Sequence, residues 1–570
     1  MTSADAKTVS RASAAGRRGT AANEGGAAGA ALFGRYFIYA LIAVAVAAVL
    51  LAILSIQRYR NYYGGRFDLG NMVQAVYNTA HGHLLEITTT DGKQMSRLGA
   101  HVDPVLAAFA LPWLVLPSPI MLLVLQAIIV ALAGWPAYRL GVRLLGDARA
   151  AFYLTVALLL YPPLQYAVLN EFHPVTLAIP LLLFAFLYVE EDRWWRALPF
   201  LVVAALCKED VPLVIAVMGA YFALRKRSWW PLVLTAAAVA YFVVAVKVIL
   251  PHYSPGGSPF LSRYSEYGSS EGQIVKNVFL KPGTTAQDLF SWSNVKYLFH
   301  LLWPFAFTPL LSPLTALIAL PTFLLNALSA NPFQRSYQFH YVATEAPFLF
   351  AAATLGVARL HRWLTPTGAA AARAGRGARR SRRAATSKAA RKAAAAKAAV
   401  PKATGPATTP KGGVSLGTLA GVVLAASLAA NFFLGPLPFS LPGAHYSGRD
   451  YAVSGHAKVL DMAVKMIPAG ATVSTENDAG SHLSARRRVF TFPYQDGAQW
   501  VVVDDKHPYW FDKPDRARHS QALGTLVLNQ AYQSVFARDG VYVFKKVGAP
   551  GSSSSGAGSP PASPSPSASP

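Results

Sequence analysis

Charged residues are scarce in this chain of 570 residues, because they make up 14% of it, against roughly 25% in an average soluble domain. Hydrophobic residues account for 53%, gathered into long runs with short polar breaks between them. A run of about 20 apolar residues, wound as a helix, spans the hydrocarbon core of a bilayer. The composition therefore excludes an ordinary soluble protein and predicts a polytopic helical membrane protein.

Cysteine is nearly absent, and the single Cys207 lies in an apolar run. A disulfide within one chain is therefore impossible, and cysteine usage gives no information about the compartment. The apolar segment 32–56 is too long for the core of a signal peptide. It is predicted to be an uncleaved first membrane helix that follows a disordered cytoplasmic segment, residues 1–31.

Acidic residues are also few, since 27 Asp and Glu stand against 52 Lys and Arg, which gives a net charge of +25. Residues 359–411 hold 14 of these bases and no acid. Such a stretch, rich in alanine and arginine, predicts a disordered cytoplasmic linker (359–413) that contacts anionic lipid headgroups. Because one linker explains more than half of the excess charge, no nucleic-acid partner is expected.

Basic clusters between the apolar segments set the predicted topology, since Lys and Arg concentrate on the cytoplasmic side. They put the N-terminus in the cytoplasm of a plasma (inner) membrane protein and the C-terminus outside. The proline-rich stretch 104–117 is predicted not to span. The stretch 196–224 is predicted to form two short helices, because one straight helix would bury three charges in the bilayer. The predicted membrane segments are 32–56, 118–138, 150–169, 174–190, 196–207, 211–224, 230–250, 297–310, 312–328, 340–358 and 414–434.

Beyond the last membrane segment, the composition becomes that of a soluble domain. Residues 435–548 alternate predicted helices with short apolar strands, which indicates a small extracytoplasmic α/β domain. A hairpin is expected at 532–546, with Asp539 and Gly540 as its turn. Residues 476–478 would follow a strand, either as a ligand site or as a helix-capping cluster. The tail 549–570 contains only Ser, Pro, Gly and Ala and is predicted to be disordered.

An ordered series of polar motifs resembles a prokaryotic membrane-protein family known as domain of unknown function 2079. The resemblance covers roughly residues 55–360 and 445–510. Each motif alone is weak, and their order along the chain makes the resemblance specific. The motifs are Phe67–Gly70, Gln74–Gly82, His101–Pro104, Glu171–Pro174, Lys208–Asp210, Ser484–Arg486 and Phe492–Pro493.

This layout is in turn similar to that of the GT-C glycosyltransferases, which use polyprenyl-phosphate sugars on the outer face of the membrane. The resemblance implies an all-α polytopic domain at 32–358, with outer loops at 57–117 and 251–296, and about 11 transmembrane helices once the segment 414–434 is added. It also implies that Asp68 is a catalytic base or metal-associated acid and that Glu171 is a second catalytic carboxylate. Leu69 stands where many such enzymes carry a second acid, which weakens the case for a divalent metal.

The chemistry of glycosyl transfer predicts the remaining site residues. A base must accept the acceptor's proton, and cations must stabilise the phosphate that leaves. No metal ligands are assigned, since the pair His101 and Asp103 alone does not make a metal site. The predicted substrate- and phosphate-binding residues are Arg66, Arg97, His173, Lys208, Glu209 and Asp210.

Plainer interpretations and other functions stay open at this point. In the plainer interpretation, the lysine and the two acids of the turn 208–210 neutralise one another, and Glu171–Pro174 is an ordinary junction between two helices. A transporter or flippase would place polar residues at mid-membrane in repeated halves, and neither pattern is evident. An envelope scaffold would leave the polar motifs of the membrane part unexplained. The predicted function is transfer of a sugar from a polyprenyl-phosphate donor to a cell-envelope acceptor.

Overall fold

The computed structural model describes residues 34–256, 260–365, 413–441, 451–507, 509–510, 513–514 and 516–548. The predictions for residues 1–31, for the tail 549–570 and for most of the basic linker lie outside these residues. The described part is mostly helical and carries a small sheet near its C-terminal end.

Long apolar helices form the membrane part. Four of them are long and apolar enough to cross a bilayer: Arg35–Arg60, Pro119–Leu145, Leu232–Tyr253 and Leu416–Leu434. A fifth span is obtained if Ala148–Leu159 and Pro162–Leu169, bent by 44°, count as one. Length and composition therefore support four or five spans in the described residues, and the predicted count of about 11 is not confirmed.

The remaining apolar segments are shorter because prolines and polar turns divide them. A proline lacks the N–H that a helix interior needs, so Pro162, Pro174 and Pro313 each begin a new helical piece. The α-helices through the last apolar segment are α1 (Arg35–Arg60), α2 (Asn71–Ala80), α3 (Ala110–Val115), α4 (Pro119–Ala131), α5 (Gly134–Leu145), α6 (Ala148–Leu159), α7 (Pro162–Leu169), α8 (Ala178–Glu190), α9 (Trp194–Ala205), α10 (Val211–Lys226), α11 (Leu232–Val244), α12 (Leu250–Tyr253), α13 (Glu271–Leu280), α14 (Pro282–Leu289), α15 (Trp292–Leu302), α16 (Pro313–Ala316), α17 (Leu320–Ala327), α18 (Ala346–Leu364) and α19 (Leu416–Leu434).

The stretch 196–224 is broken, as its charges predicted. Helix α9 ends at Ala205 and α10 begins at Val211, so Lys208 and its two acidic neighbours lie in the turn between them. The proline-rich stretch 104–117 forms a short 3-10 turn, Pro104–Phe109, followed by α3. Both stretches follow the rule that charges and prolines stay out of long continuous membrane helices.

The C-terminal domain is built on a five-stranded mixed sheet. Its strands are β3 (Val473–Thr475), β4 (Val489–Thr491), β5 (Trp500–Asp504), β8 (Tyr532–Arg538) and β9 (Val541–Lys546), in the order β4-β3-β5-β9-β8. Strands β4, β3 and β5 run parallel, and β9 pairs antiparallel with β5 and β8. The helices are α20 (Gly455–Lys465), α21 (Asn477–Leu483) and α22 (Arg516–Leu528), and the short pair β6 (Tyr509–Trp510) and β7 (Lys513–Pro514) lies apart from the main sheet.

These elements match the pattern of strands and helices predicted for the domain. The predicted hairpin at 532–546 is present, and Asp539 and Gly540 at its turn both have positive φ. The helix α22 was not predicted, because its low hydrophobicity gives a weak amphipathic signal.

Arg66 joins the first outer loop to this domain. It is 1% exposed and begins a single π-helical turn, Arg66–Gly70. One guanidinium nitrogen donates to the backbone oxygens of Thr88 (2.9 Å) and Val489 (3.1 Å) and to Gln74 Oε1 (3.1 Å). Thr88 ends β1 (Glu86–Thr88), which pairs with β2 (Gln94–Ser96) in the same loop. One side chain therefore bridges α2, β1 and β4.

Close backbone packing completes this interface. The Arg66 backbone N–H donates to Asn477 Oδ1 (2.8 Å) at the start of α21. A side chain at Gly480 would place its Cβ 2.3 Å from the Arg66 Cβ. Only glycine therefore permits α21 to approach the loop this closely.

Arg66→Ala should release the C-terminal domain from the loop. The substitution removes a donor from the backbone oxygens of Thr88 and Val489, whereas Gln74 Oε1 keeps the Thr88 N–H, so the expected cost is on the order of 2 kcal/mol. Hydrogen exchange of the β4 and α21 amides, measured on the detergent-solubilised protein, should become faster. The exposed Arg488 provides a matched control, and Arg488→Ala should leave protection unchanged. Equal exchange in Arg66→Ala and in the unaltered protein would contradict the assigned role of Arg66.

Candidate active site

Asp68 lies in the middle of the π-helical turn, and its side chain is 54% exposed. Its Oδ1 lies 3.5 Å from Nε2 of His173, which is almost fully buried. The surrounding protein acts to raise the pKa of Asp68, but contact with His173 and the nearby charges of Arg97 and His101 hold it below its ordinary value. The structure thus presents an ionised, accessible carboxylate.

Glu171 holds the loop that carries Asp68. Its Oε2 accepts hydrogen bonds from the backbone N–H groups of Gly65 (3.0 Å) and Leu69 (2.8 Å). Burial raises the pKa of Glu171 well above its ordinary value, and the negative charge of Asp68 adds to the shift. The two carboxyl groups therefore have pKa values displaced in opposite directions, as acid and base pairs in enzymes often do.

The backbone at Glu171 is held in an unusual conformation. Its φ of 64° lies in the left-handed region, which residues other than glycine rarely adopt. The fully buried Gln126 of α4 fixes it, since its amide donates to the Glu171 carbonyl (2.6 Å) and accepts from the His173 N–H (2.8 Å). Strain of this kind persists where the surrounding structure over-determines it, often at functional sites.

His173 stacks on His340, with ring centroids 3.5 Å apart and planes inclined by 17°. Nδ1 of His173 and Nδ1 of His340 are buried and lack a hydrogen-bond partner in the protein, whereas Nε2 of His173 has only the 3.5 Å contact with Asp68. Buried polar atoms are normally satisfied, so these two open atoms offer partners to a polar ligand.

The turn 208–210 is neutralised by pairs of its own. Lys208 Nζ lies 2.7 Å from Asp210 Oδ2, and Glu209 accepts from His101 Nδ1 (2.9 Å) and from the Val102 N–H (3.0 Å). Burial acts to lower the pKa of Lys208, but Asp210 and Glu209 raise it above its ordinary value, so the ammonium group is charged. The two acids thus orient cations, and only Lys208 is suited to contact a phosphate directly.

Arg97 and Arg263 differ in how far they are committed to other residues. Arg97 is 4% exposed and ion-paired with Asp103 at 2.8 Å, so it contributes positive charge from beneath the surface. The Arg263 guanidinium lies over the Phe260 ring, and that ring stacks on His101. Within the described part of the chain, Arg263 has no carboxylate partner among the ion pairs, and its charge acts on His340 together with that of Lys208.

The structure therefore divides the predicted site residues into groups. Asp68, Glu171 and His173 come together, and the charge of Arg97 acts on Asp68. Lys208 acts on His340, which stacks on His173, while Glu209 and Asp210 pair with His101 and Lys208. Arg66 is a correction to the predicted set. Its hydrogen bonds to the C-terminal domain leave it buried, so it is not available to a phosphate.

Sequence reasoning missed Gln126, His340 and Arg263. Gln126 is the one amide in the apolar run of α4, a signal that was present and could have been used. His340 stands at the start of a predicted membrane segment, and Arg263 stands in a long outer loop. Neither position carries a local pattern, because only the tertiary fold brings His340 against His173 and the charge of Arg263 within reach of His340.

A divalent metal, which the resemblance implied as an option, does not fit the donors at this site. Magnesium and manganese prefer several oxygen ligands. Here Asp68 is the accessible carboxylate, since the Glu171 oxygen faces backbone amides and the Asp103 carboxylate is paired with Arg97. No step of the chemistry is therefore assigned to a metal at this site.

The pH dependence of stability should reveal the charge state of Glu171. Because the pKa of Glu171 is raised in the folded protein, the folded state keeps a proton that the unfolded chain loses above about pH 4.3. The free energy of unfolding therefore falls as the pH rises from about 4.3 to the raised pKa of the folded state. Glu171→Gln keeps an acceptor without the charge and should remove this slope. Glu171→Ala should also remove it and lose about 1–3 kcal/mol at every pH, because two N–H groups lose their acceptor. Denaturant unfolding in detergent across pH measures both effects, and parallel profiles for Glu171→Gln and the unaltered protein would contradict the assignment.

Comparison with solved structures gives distant likenesses. ArnT from Cupriavidus metallidurans bound to undecaprenyl phosphate is 12% identical, with a TM-score of 0.47, and the match covers 89% of this chain and 98% of that chain. The apo form of the same protein gives 13% identity, a TM-score of 0.46 and coverage of 90% and 99%. AglB from Archaeoglobus fulgidus, in complex with an inhibitory peptide and a dolichol-phosphate, is 12% identical, with a TM-score of 0.41. The match covers 89% of this chain and 74% of that chain.

Comparison at the sequence level is more direct. No curated protein matches this chain. The family described as predicted membrane protein (DUF2079) matches residues 58–379, which is more than half of the chain and includes every element around Asp68 except the C-terminal domain. The chain therefore belongs to the DUF2079 family of predicted membrane proteins.

Proposed function

We propose that this protein is a membrane glycosyltransferase that moves a sugar from a polyprenyl-phosphate donor to a cell-envelope acceptor, with Asp68 as the general base. One observation carries the proposal. An exposed, ionised carboxylate stands beside a stacked histidine pair with buried nitrogens that have no protein partner, and the charges of Lys208 and Arg263 act on His340 of that pair. Base, open polar atoms and cations are the parts that such a transfer needs.

Proton transfer and bond exchange would occur at Asp68. The acceptor hydroxyl oxygen attacks the anomeric carbon of the sugar while its proton passes to an Asp68 oxygen. The bond between the anomeric carbon and the phosphate oxygen breaks, and polyprenyl phosphate leaves with the electron pair. The lowered pKa of Asp68 keeps it deprotonated at neutral pH, so it is ready to accept a proton. Glu171, predicted as a second catalytic carboxylate, acts in this proposal as a positioning residue, because its Oε2 holds the loop that carries Asp68.

The leaving phosphate would be met by Lys208 and Arg263. Lys208 is 18% exposed and shares its charge with Asp210, and Arg263 presents a planar fork that matches two phosphate oxygens. The open nitrogens of His173 and His340 would hydrogen-bond sugar or phosphate oxygens. Charges placed in advance where negative charge develops stabilise a transition state without later rearrangement.

The proposal includes the topology that the basic residues predict. The N-terminus and the linker 359–413 lie in the cytoplasm, and the domain 435–548 lies outside. The basic residues of the linker, all within 359–411, face anionic lipid headgroups. Asp68 then faces outward, because it follows the first membrane helix within a few residues. The short helix α3 exposes Leu111 (72%) and Leu114 (65%), an apolar surface suited to the donor's lipid chain.

Asp68→Asn should abolish transfer while leaving the fold intact. Loss of a general base is expected to slow the reaction by about 10²–10⁴-fold. The assay compares lipid-linked sugars and envelope glycans in a deletion strain complemented with each variant. Asp91→Asn is the matched control, since Asp91 is an exposed acid of the same outer loop and should behave as the unaltered protein. If deletion changes the glycans and Asp68→Asn restores them fully, Asp68 is not the base.

Arg263→Gln should weaken binding of the donor phosphate by about tenfold or more, as expected for the loss of a charge-assisted contact. Thermal stabilisation by added polyprenyl phosphate in detergent measures the affinity. Lys276→Gln serves as the control, because Lys276 is an exposed base of the same outer loop. Equal losses in the two variants would show general charge attraction in place of a built phosphate site.

A further inference from the structure

Three metal-ligating side chains converge in the C-terminal domain, away from Asp68. His456 is the second residue of α20, Asp504 ends β5, and His507 follows three residues later. Their ligand atoms all lie within 4.8 Å of one another. Asp504 Oδ2 is 2.8 Å from His456 Nε2 and 3.1 Å from His507 Nδ1. The strand end and the helix start therefore aim two nitrogens at one oxygen.

Hydrogen bonding alone is a poor account of this arrangement. The Asp504 side chain is 2% exposed, and its Oδ2 is shared by two imidazoles whose rings lie 5.2 Å apart. The other ring nitrogen of His456 lies 3.0 Å from Asp539 Oδ2. To donate to both carboxylates, His456 must carry two protons and hence a positive charge, next to a second histidine that is also a donor. A bound cation would satisfy the same atoms with neutral imidazoles.

We propose that His456, Asp504 and His507 bind one divalent transition-metal ion of the zinc type. Ligands about 2.0–2.1 Å from a tetrahedral metal lie about 3.3 Å from one another. The two spacings to Asp504, 2.8 and 3.1 Å, are close to that value, and all three ligand atoms lie within 4.8 Å of one another. Two imidazoles and a carboxylate favour zinc over magnesium or calcium, which prefer oxygen alone.

The surroundings support such a centre. Asp539 would hold the second nitrogen of His456, as carboxylates commonly orient metal-bound histidines. Asp478, in the first turn of α21, has Oδ2 3.7 Å from His507 Nδ1 and adds negative charge beside the three ligands. The His507 side chain is 54% exposed, so the ion has an entry path.

The location gives the ion a structural consequence. The centre lies beyond the carboxyl ends of parallel strands β3 and β5, where open α/β sheets bind ligands. It ties the start of α20 to the end of β5 and, through Asp539, to the turn between β8 and β9. Of the three residues 476–478, Glu476 accepts from the Asp504 N–H, Asn477 contacts the Arg66 loop, and Asp478 lies beside His507. The site does not depend on the proposed glycosyl transfer.

Zinc content and affinity test the proposal on the full-length protein in detergent, without an affinity tag that binds metal. Protein stripped with a chelator is incubated with zinc chloride, freed of excess by gel filtration and assayed for bound metal. One zinc ion per chain is expected, and competition with a zinc indicator should give an affinity lowered at least about tenfold in His507→Gln. His83→Gln is the control, because His83 is another exposed histidine and should bind as the unaltered protein.

Two further measurements keep the outcome decisive. Asp539→Asn leaves every proposed ligand in place. It should weaken zinc binding by about tenfold, because the amide no longer holds the second ring nitrogen of His456 as the carboxylate does. Zinc should also raise the unfolding temperature of the unaltered protein and leave that of His507→Gln unchanged. Should His507→Gln elute as aggregate, Asp539→Asn decides the question. Zinc-free protein after gel filtration, or equal zinc affinity in His507→Gln, Asp539→Asn and His83→Gln, would overturn the proposal.

Discussion

The loop of residues 64–70 is clamped from two sides, and the placement of Asp68 depends on that clamp. From the membrane part, Glu171 accepts hydrogen bonds from two of its amides. From the C-terminal domain, Val489 accepts from Arg66 and Asn477 accepts from the loop backbone. A free loop with two glycines in sequence would be mobile. Held in this way, it presents one carboxylate outward at a fixed distance from His173.

The clamp assigns separate tasks to two acids that look alike in sequence. Asp68 is accessible and ionised, whereas Glu171 is half-buried, accepts from two backbone amides and has a raised pKa that favours its protonated form. Under the proposed function, this division makes Asp68 the base and gives Glu171 the task of holding the loop. It also makes the C-terminal domain part of the site's support, because removing its contacts would free the loop from one side.

Much of the fold could be predicted from the sequence because the signals are local. Charges at 208–210 broke a long apolar run, and apolar strands bounded by turn residues marked the C-terminal sheet. The site was less predictable because its partners are distant in sequence. The sequence around Arg66 suggests a phosphate ligand, but in the fold its guanidinium donates to the Val489 carbonyl, on a strand more than 400 residues later. Arg263 and His340 show no local pattern, because tertiary packing alone stacks His340 on His173 and brings the charge of Arg263 within reach of His340.

A structure of the protein bound to a polyprenyl phosphate, determined by electron cryomicroscopy, tests the central claim most directly. The account predicts that the phosphate lies between Lys208 and Arg263, with an oxygen hydrogen-bonded to His173 or His340 and with Asp68 facing the position of the sugar. Phosphate density bound elsewhere, with the nitrogens of His173 and His340 still without a ligand, would contradict it.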